Sequence, residues 1–376
     1  HVVPIVPDES RTFGMEGMFR QLGIYSTKGQ IYEPVDKESL MSYREATDGQ
    51  LIQEGLCEAG GMSSFIAAGN SYATVGLNMV PFYVYYSMFG FQRVGDLIWA
   101  AMDMMCKGFL MGAVAGRTTL NGEGLQHEDG HSHVLTSTVP GLLSYDPAYA
   151  YELALIIKDG LTRMYANNEK VFYYITIYNE TYEQIAMPAH EGVEEGIVKG
   201  MYKLSKSESK SKVKAQLMSS GPILKEAVKA AAILEEKYKV ATDVWSVTSF
   251  NRLRTEAMDA ERWNTHHPDS EPKLSFLETS LRGEKGTFVA STDYMRIVAE
   301  GISRWVPGDL HCLGTDGHGM SSSREELRRF FEIDTESIVL KTLVELAKKG
   351  EIDKKIPAQA MKDLGIDSDK MNPFPL

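Results

Sequence analysis

Phe109-Leu-Met-Gly-Ala-Val-Ala-Gly116, an unbroken apolar run, opens directly into Arg117-Thr-Thr-Leu-Asn-Gly-Glu-Gly-Leu-Gln-His-Glu-Asp-Gly-His-Ser-His133. Residues 118–133 hold three histidines, three acids and three glycines, a density of titratable groups that packing alone does not require. Each glycine costs about 1 kcal/mol in a helix relative to alanine, so the segment reads as a shaped loop behind the apolar run. Loops that follow the strands of open α/β sheets carry binding and catalytic sites.

His127-Glu-Asp-Gly-His131 also satisfies the H-E-x-x-H pattern of zinc proteases. That pattern works when one helix holds both imidazoles on a single face, four residues apart. Asp129-Gly130 inside it, with Gly122 and Gly124 before it, argues against such a helix, and no metal site is assigned here.

Outward from this loop, strand-like and helix-like segments alternate, the signature of parallel sheets with crossover helices. Residues 51–55 and 79–88 read as buried strands, with a helix over 94–107 after the second. Asp146-Pro147 reads as an N-cap with proline at the first helical position, opening a helix to about residue 165. Residues 170–178 read as a further strand. Lys203-Leu-Ser-Lys-Ser-Glu-Ser-Lys-Ser-Lys-Val-Lys214, rich in serine and lysine, reads as an exposed linker or hairpin. Beyond it, Gly221-Pro-Ile starts a helix with Ile223, Leu224, Ala227, Val228, Ala231 and Leu234 on one face. Residues 243–250 and 287–291 read as strands. Ser323-Arg-Glu-Glu326 reads as a capping box, which sets residues 314–319 between a strand and a helix. The fold class expected is α/β, with domains over 1–202 and 215–376 joined by 203–214.

The chain has 376 residues, of which 43% are hydrophobic and 24% charged, enough for two substantial cores. A net charge of −12 disfavours nucleic acid and anionic membranes as partners. The three cysteines, Cys57, Cys106 and Cys312, are odd in number and far apart, which fits a reducing compartment and a cytoplasmic location. Asn78, Pro81, Gln92, Arg93, Asp96 and Asp103 interrupt the apolar region 75–116, leaving no run of the ~20 residues a bilayer span needs. No signal peptide is visible, and the start at His1 reads as a fragment or a processed chain.

The loop Arg117 to His133, followed by Ser144-Tyr-Asp-Pro-Ala-Tyr-Ala-Tyr-Glu152, resembles the decarboxylating component of the pyruvate dehydrogenase complex in its single-chain, homodimeric bacterial form. Thr12-Phe-Gly-Met-Glu-Gly-Met-Phe-Arg-Gln-Leu-Gly-Ile-Tyr25, Tyr85-Tyr-Ser-Met-Phe-Gly-Phe-Gln-Arg93, Ala290-Ser-Thr-Asp-Tyr-Met295 and Gly314-Thr-Asp-Gly-His-Gly319 follow in the family's order. The resemblance covers essentially the whole chain and is set against the C-terminal two-thirds of the family's protein. It implies two parallel-sheet βα domains, a thiamine-diphosphate-binding fold (the pyrimidine domain) and a transketolase C-terminal-like domain. It also implies a thiamine diphosphate-dependent oxidoreductase that decarboxylates pyruvate and passes the acetyl group to the lipoyl domain of dihydrolipoyl acetyltransferase. The family's magnesium and diphosphate site carries a Gly-Asp-Gly motif that this chain lacks. The metal ligands are therefore expected outside this chain, in a removed N-terminal segment or a separate chain, and the shared cofactor site implies a homodimer or higher.

Two glutamates follow the strand at 51–55, Glu54 and Glu58. The family places a glutamate, followed by small residues and glycines, against the pyrimidine ring nitrogen, and Glu58-Ala-Gly-Gly61 fits that pattern better than Glu54. By the same resemblance Phe89 stacks on the aminopyrimidine, Tyr86 and Arg93 face the substrate carboxylate, and Asp8 and Glu9 stand at the mouth of the cofactor cleft. His127 matches a histidine suited to proton transfer near neutral pH, with Glu123 to orient it, while His131 and His133 rank lower. Phe91 and Tyr83 are read as packing. Other readings are a related 2-oxo acid dehydrogenase or transketolase, a zinc hydrolase on His127 and His131, or a non-catalytic assembly fragment.

Overall fold

A computed structural model describes residues 1–7, 10, 13–15, 17–34, 44–120 and 124–374. The chain packs into two compact units that interleave along it, 1–115 with 135–143 and 159–177, and 116–134 with 144–158 and 178–376.

In the first unit the chain contributes β1 (Val2–Val6), β2 (Ile24–Tyr25), β3 (Glu45–Ala46), β4 (Ile52–Gln53), β5 (Val80–Tyr85), β6 (Phe109–Gly112), β7 (Leu142–Tyr145) and β8 (Phe172–Thr176). Six of these form one sheet in the order β4-β1-β5-β6-β8-β7, while β2 and β3 pair separately. The ladders β1–β4, β1–β5, β5–β6 and β6–β8 are parallel. Helices cover both faces of such a sheet, so its strands read as continuous apolar runs, and every residue of β6 and β8 is buried. Aromatic rings fill the core: Phe82 stacks on Phe109 at 4.6 Å and Phe91 meets Tyr174 edge-on at 5.2 Å. From β1 the chain steps to β4 on one side and then, through helix Glu58–Gly69, to β5 on the other. That reversal of direction is where open α/β sheets hold ligands, beyond the carboxyl ends of the strands.

The sequence expectation at 79–88 and 94–107 needs correction. The strand ends at Tyr85, and a helix runs over Ser87–Asp103 with its backbone broken only at Val94. The apolar run Tyr85 to Phe91 has no period that separates a buried strand from a buried helix start, so the boundary slipped. Phe89 and Arg93 therefore stand four residues apart on a helix.

In the second unit β9 (Tyr202–Ser205), β10 (Lys214–Ser219), β11 (Ala241–Ser246), β12 (Thr287–Ser291) and β13 (Leu310–Leu313) form a sheet in the order β13-β12-β10-β11-β9. All its ladders are parallel except the edge strand β9, which runs antiparallel to β11. Met218, Trp245, Phe250, Leu253 and Phe288 anchor the core on one side. On helix Leu224–Tyr238 the residues Leu224, Ala227, Ala231 and Leu234 are buried as expected, while Val228 is exposed.

The stretch read as a linker, 203–214, joins two strands of this one sheet. Lys203 lies in β9, with Nζ 2.9 Å from Asp243 and 2.7 Å from Glu284, and Lys214 begins β10. Between them Ser207, Ser209 and Ser211 each accept the backbone N–H two residues on, a local bonding pattern that holds an exposed chain extended. Asp146 does not cap a helix either, since the helix begins at Ala150. Its backbone N–H donates to the Thr248 carbonyl at 2.7 Å and its carboxylate accepts from the Tyr178 hydroxyl. The start of that helix is held instead by Glu152, which is fully buried and accepts from the N–H groups of Ala148 (2.5 Å) and Tyr149 (3.1 Å). Among the described residues no helix is long and apolar enough to cross a membrane.

Candidate active site

The first unit holds five of the residues singled out from the sequence, Glu54, Glu58, Tyr86, Phe89 and Arg93. Glu54 follows β4, with its N–H bonded to the Val6 carbonyl at 3.0 Å, and its carboxylate accepts from the Ser64 hydroxyl on the next helix. Cys57 caps that helix, its sulfur accepting from Gly60 N–H at 3.3 Å, and Glu58 is the first helical residue. A carboxylate in the first turn faces the positive end of the helix dipole. The Glu58 side chain is 11% exposed and meets the Arg93 guanidinium at 2.8 Å. Arg93 in turn lies 4.1 Å over the Phe89 ring, the i and i+4 positions of their helix bringing the two together. Phe89 touches Tyr86 edge-on at 5.8 Å, and Tyr86 touches Phe13 at 5.3 Å.

Tyr83, read from sequence as packing only, also belongs to this cluster. Its hydroxyl donates to the Glu58 carbonyl at 3.1 Å. Burial first, and then the charges of Glu58, Cys57 and Glu54, push its phenol above the ordinary range, so it remains a donor. The signal that would have found it is Gly61, one turn along the helix. A Cβ at Gly61 would sit 2.5 Å from the Tyr83 ring, so glycine is what lets the helix start lie flat on β5.

Arg93 is 53% exposed, and an ion pair with one partner half in water is worth about 0–1 kcal/mol. Glu58 is thus a nearly buried carboxylate whose present partner is weakly held and readily exchanged for another nitrogen donor. Half-buried aromatic rings border it. This donor and acceptor set fits a flat nitrogen heterocycle with a basic ring atom. Among the described residues no group of three or more His, Cys, Asp or Glu is arranged to hold a metal ion.

His127 belongs to the second unit, in a turn where its backbone N–H donates to the Gly124 carbonyl at 3.1 Å. The helix that follows begins only at Ser132, so His127 and His131 do not share a helix face. Neighbouring Glu128 is buried. Its carboxylate accepts from Met320 N–H at 2.7 Å, and burial nevertheless pushes its pKa up to about 7. His133, fully buried against Tyr294 at 4.6 Å, is held neutral by burial, its pKa lowered to about 4. Burial also lowers His131. Asp8, Glu9 and Glu123 lie outside the described residues.

The sequence behind this geometry is widely shared. Residues 1–185 match the family model for the pyruvate dehydrogenase E1 component middle domain, and residues 200–334 match the transketolase-like C-terminal domain. The pyruvate dehydrogenase E1 component of Pseudomonas aeruginosa is 56% identical over 374 residues, and that of Escherichia coli K12 is 54% identical over the same length. The chain belongs to the pyruvate dehydrogenase E1 component family. It is covered almost wholly, 99%, by either relative, but it spans only 42% of the length of each, less than the two-thirds inferred from its motifs. Its fold is that of transketolases: the enzyme from Leishmania mexicana superposes with a TM-score of 0.67 over 93% of this E1-family chain, and that from Campylobacter jejuni with 0.65 over 91%. Each match spans 43% of the transketolase chain at 16% identity.

Proposed function

We propose that this chain carries the aminopyrimidine-binding part of a thiamine diphosphate site that decarboxylates pyruvate oxidatively and passes the acetyl group to the lipoyl domain of dihydrolipoyl acetyltransferase. The observation that carries the reading is the convergence of Glu58, Arg93, Phe89 and Tyr86 beyond the carboxyl ends of β4 and β5. Thiamine diphosphate, when bound, supplies the electron sink that the chemistry needs.

The chain's own residues do the rest. Glu58 exchanges the Arg93 guanidinium for the pyrimidine ring nitrogen and holds the shared proton there, while Phe89 offers its face to the ring. Released from Glu58, Arg93 binds the pyruvate carboxylate, for which a planar guanidinium is suited, and Tyr86 lines the same end. His127 moves a proton at the reacting carbon near neutral pH. Magnesium and the diphosphate take their ligands from outside this chain, from a preceding segment or a companion chain, within a cytoplasmic homodimer. The pyrimidine domain is assigned to the part of the chain before β9 and the transketolase-like domain to the part from β9 on, since β9 and β10 share one sheet.

The deciding experiment is calorimetric titration of thiamine diphosphate with magnesium into the complete enzyme bearing this chain, wild type and Glu58→Gln, paired with turnover on a panel of 2-oxo acids with ferricyanide as acceptor. The expected result is cofactor binding in both, pyruvate as preferred substrate, and a fall of roughly 10²- to 10⁴-fold in turnover for Glu58→Gln, the range of general acid–base groups. Unchanged turnover in Glu58→Gln removes the assignment; preference for another 2-oxo acid or a ketose moves the substrate within the fold class.

A further inference from the structure

The loop that bears His127 is fastened at its start by one carboxylate from a distant part of the sequence. Asp293 is fully buried, and its two oxygens take four hydrogen bonds from two consecutive residues. One oxygen accepts from Thr118 N–H (2.9 Å) and Thr118 Oγ1 (2.6 Å), the other from Thr119 N–H (3.0 Å) and Thr119 Oγ1 (2.6 Å). Gly116, at φ +90°, makes room, since a Cβ there would lie 2.3 Å from the carboxylate. Arg117, between them, sends its guanidinium to the carbonyls of Thr315 (2.5 Å) and Gly317. Beyond His127 the loop is tied to the same region again, by Met320 N–H on Glu128 and Met295 N–H on the Gly130 carbonyl, each at 2.7 Å.

Packing alone does not account for this arrangement. Two of the four donors are backbone N–H groups, which cannot turn away, so the acceptor fixes the path of the main chain itself. A buried carboxylate with four donors is matched in number to its acceptor sites. An asparagine in its place sets an NH2 donor against a backbone N–H donor and leaves one of them unsatisfied.

We propose that Asp293 is a positioning residue for His127, fixing the main chain at Thr118 and Thr119 ahead of the histidine so that the imidazole meets the reacting atoms. This rests on the catalytic reading of His127 given above. Arg117 and Glu128 act with it, but Asp293 is the group that holds two consecutive backbone N–H groups and their two side-chain hydroxyls ahead of the histidine.

The test is a double-mutant cycle in the complete enzyme: Asp293→Asn, His127→Ala and the pair, with kcat, KM for pyruvate and the calorimetric Kd for thiamine diphosphate measured for each. Misplacement of a catalytic group by about 1 Å costs roughly 10²-fold. Asp293→Asn is therefore expected to lower kcat by about 10- to 100-fold with the cofactor Kd little changed, and to have less than about a twofold effect once His127 is alanine. An equal loss in both backgrounds shows that Asp293 does not act through His127 and overturns the proposal while leaving His127 catalytic. Wild-type kcat in Asp293→Asn overturns it as well. Wild-type kcat in His127→Ala defeats the catalytic reading and the positioning role together. Should Asp293→Asn fail to fold, Thr118→Val removes one hydroxyl donor and keeps both the shape and the backbone N–H. It is expected to lower kcat only while His127 is present, and Thr118→Ser, which restores the hydroxyl, to recover it; no such difference overturns the proposal.

Discussion

Replacing Gly61 with alanine separates what the start of helix Glu58–Gly69 contributes to stability from what it contributes to catalysis. The added Cβ would stand 2.5 Å from the Tyr83 ring, and ordinary contact begins near 3.4 Å, so 3.4 − 2.5 = 0.9 Å must be found. Tyr83 cannot yield it, being fully buried with its ring packed 4.8 Å from that of Tyr85. The helix start has to move instead, and Glu58 moves with it. Two effects on stability oppose each other. Alanine gains about 1 kcal/mol over glycine in a helix, while overpacking a filled core costs about 1–3 kcal/mol. The net loss is at most about 2 kcal/mol, readable by urea denaturation. In the role proposed for Glu58 catalysis has no such offset, and displacement of an acid–base group by close to 1 Å costs roughly 10²-fold. The expected signature is a kcat about 100-fold lower in a protein that remains folded. Gly95→Ala, on the helix that carries Phe89 but with no atom within 4 Å of the new Cβ, is the control and is expected to keep its kcat. Wild-type kcat in Gly61→Ala would refute the claim that the Tyr83 contact sets the position of Glu58.

Further expectations concern the buried charges. Glu128 has its pKa pushed up to about 7 by burial, above the roughly 4.3 of an unfolded glutamate, so the native state binds the extra proton. Its penalty is absent below about pH 4.3 and complete above about pH 7; denaturation midpoints of Glu128→Gln are expected to lose this decline with rising pH, and a parallel course with wild type counts against it. His133 has the opposite sign: lowered to about 4 by burial, it leaves the unfolded state to bind the proton first, and stability is lost as pH falls from about 6.5. His133→Gln is expected to be less sensitive to acid in that window, so the two variants depart from wild type in opposite directions. Glu152→Ala orphans the N–H groups of Ala148 and Tyr149 along with the hydroxyl of Ser246, and leaves the Tyr202 hydroxyl with Tyr151 alone. At about 1–3 kcal/mol for each N–H that cannot find another acceptor, roughly 2–6 kcal/mol is expected by urea denaturation, and less than 1 would show that water replaces the carboxylate.

What the sequence disclosed and what it withheld divide along contact range. The α/β alternation, the strand at 287–291 and the helix with Leu224, Ala227 and Leu234 on its inner face are legible because period and composition are local properties. Glu58, Phe89, Tyr86 and Arg93 were legible as motif positions, yet nothing local announced that Arg93 pairs with Glu58 across 35 residues. Where the local signal was ambiguous it failed in an understandable direction. The uninterrupted run around Tyr85 to Phe91 gave a strand three residues too long, and the serine–lysine composition of 203–214 gave a linker where two strands of one sheet begin and end. Asp146-Pro147 carries the chemistry of a helix cap, but the Thr248 and Tyr178 partners that claim Asp146 come from elsewhere in the chain, and Glu152 takes over the capping. Asp293 is the extreme case. It is one acid among 51, placed 175 residues from the loop it fastens, and only the fold reveals that its neighbours are two threonines and a glycine that leaves space for it. A conservative change at such a position is therefore no small change: the four donors are fixed by the fold, and the acceptor must match them in number, place and direction.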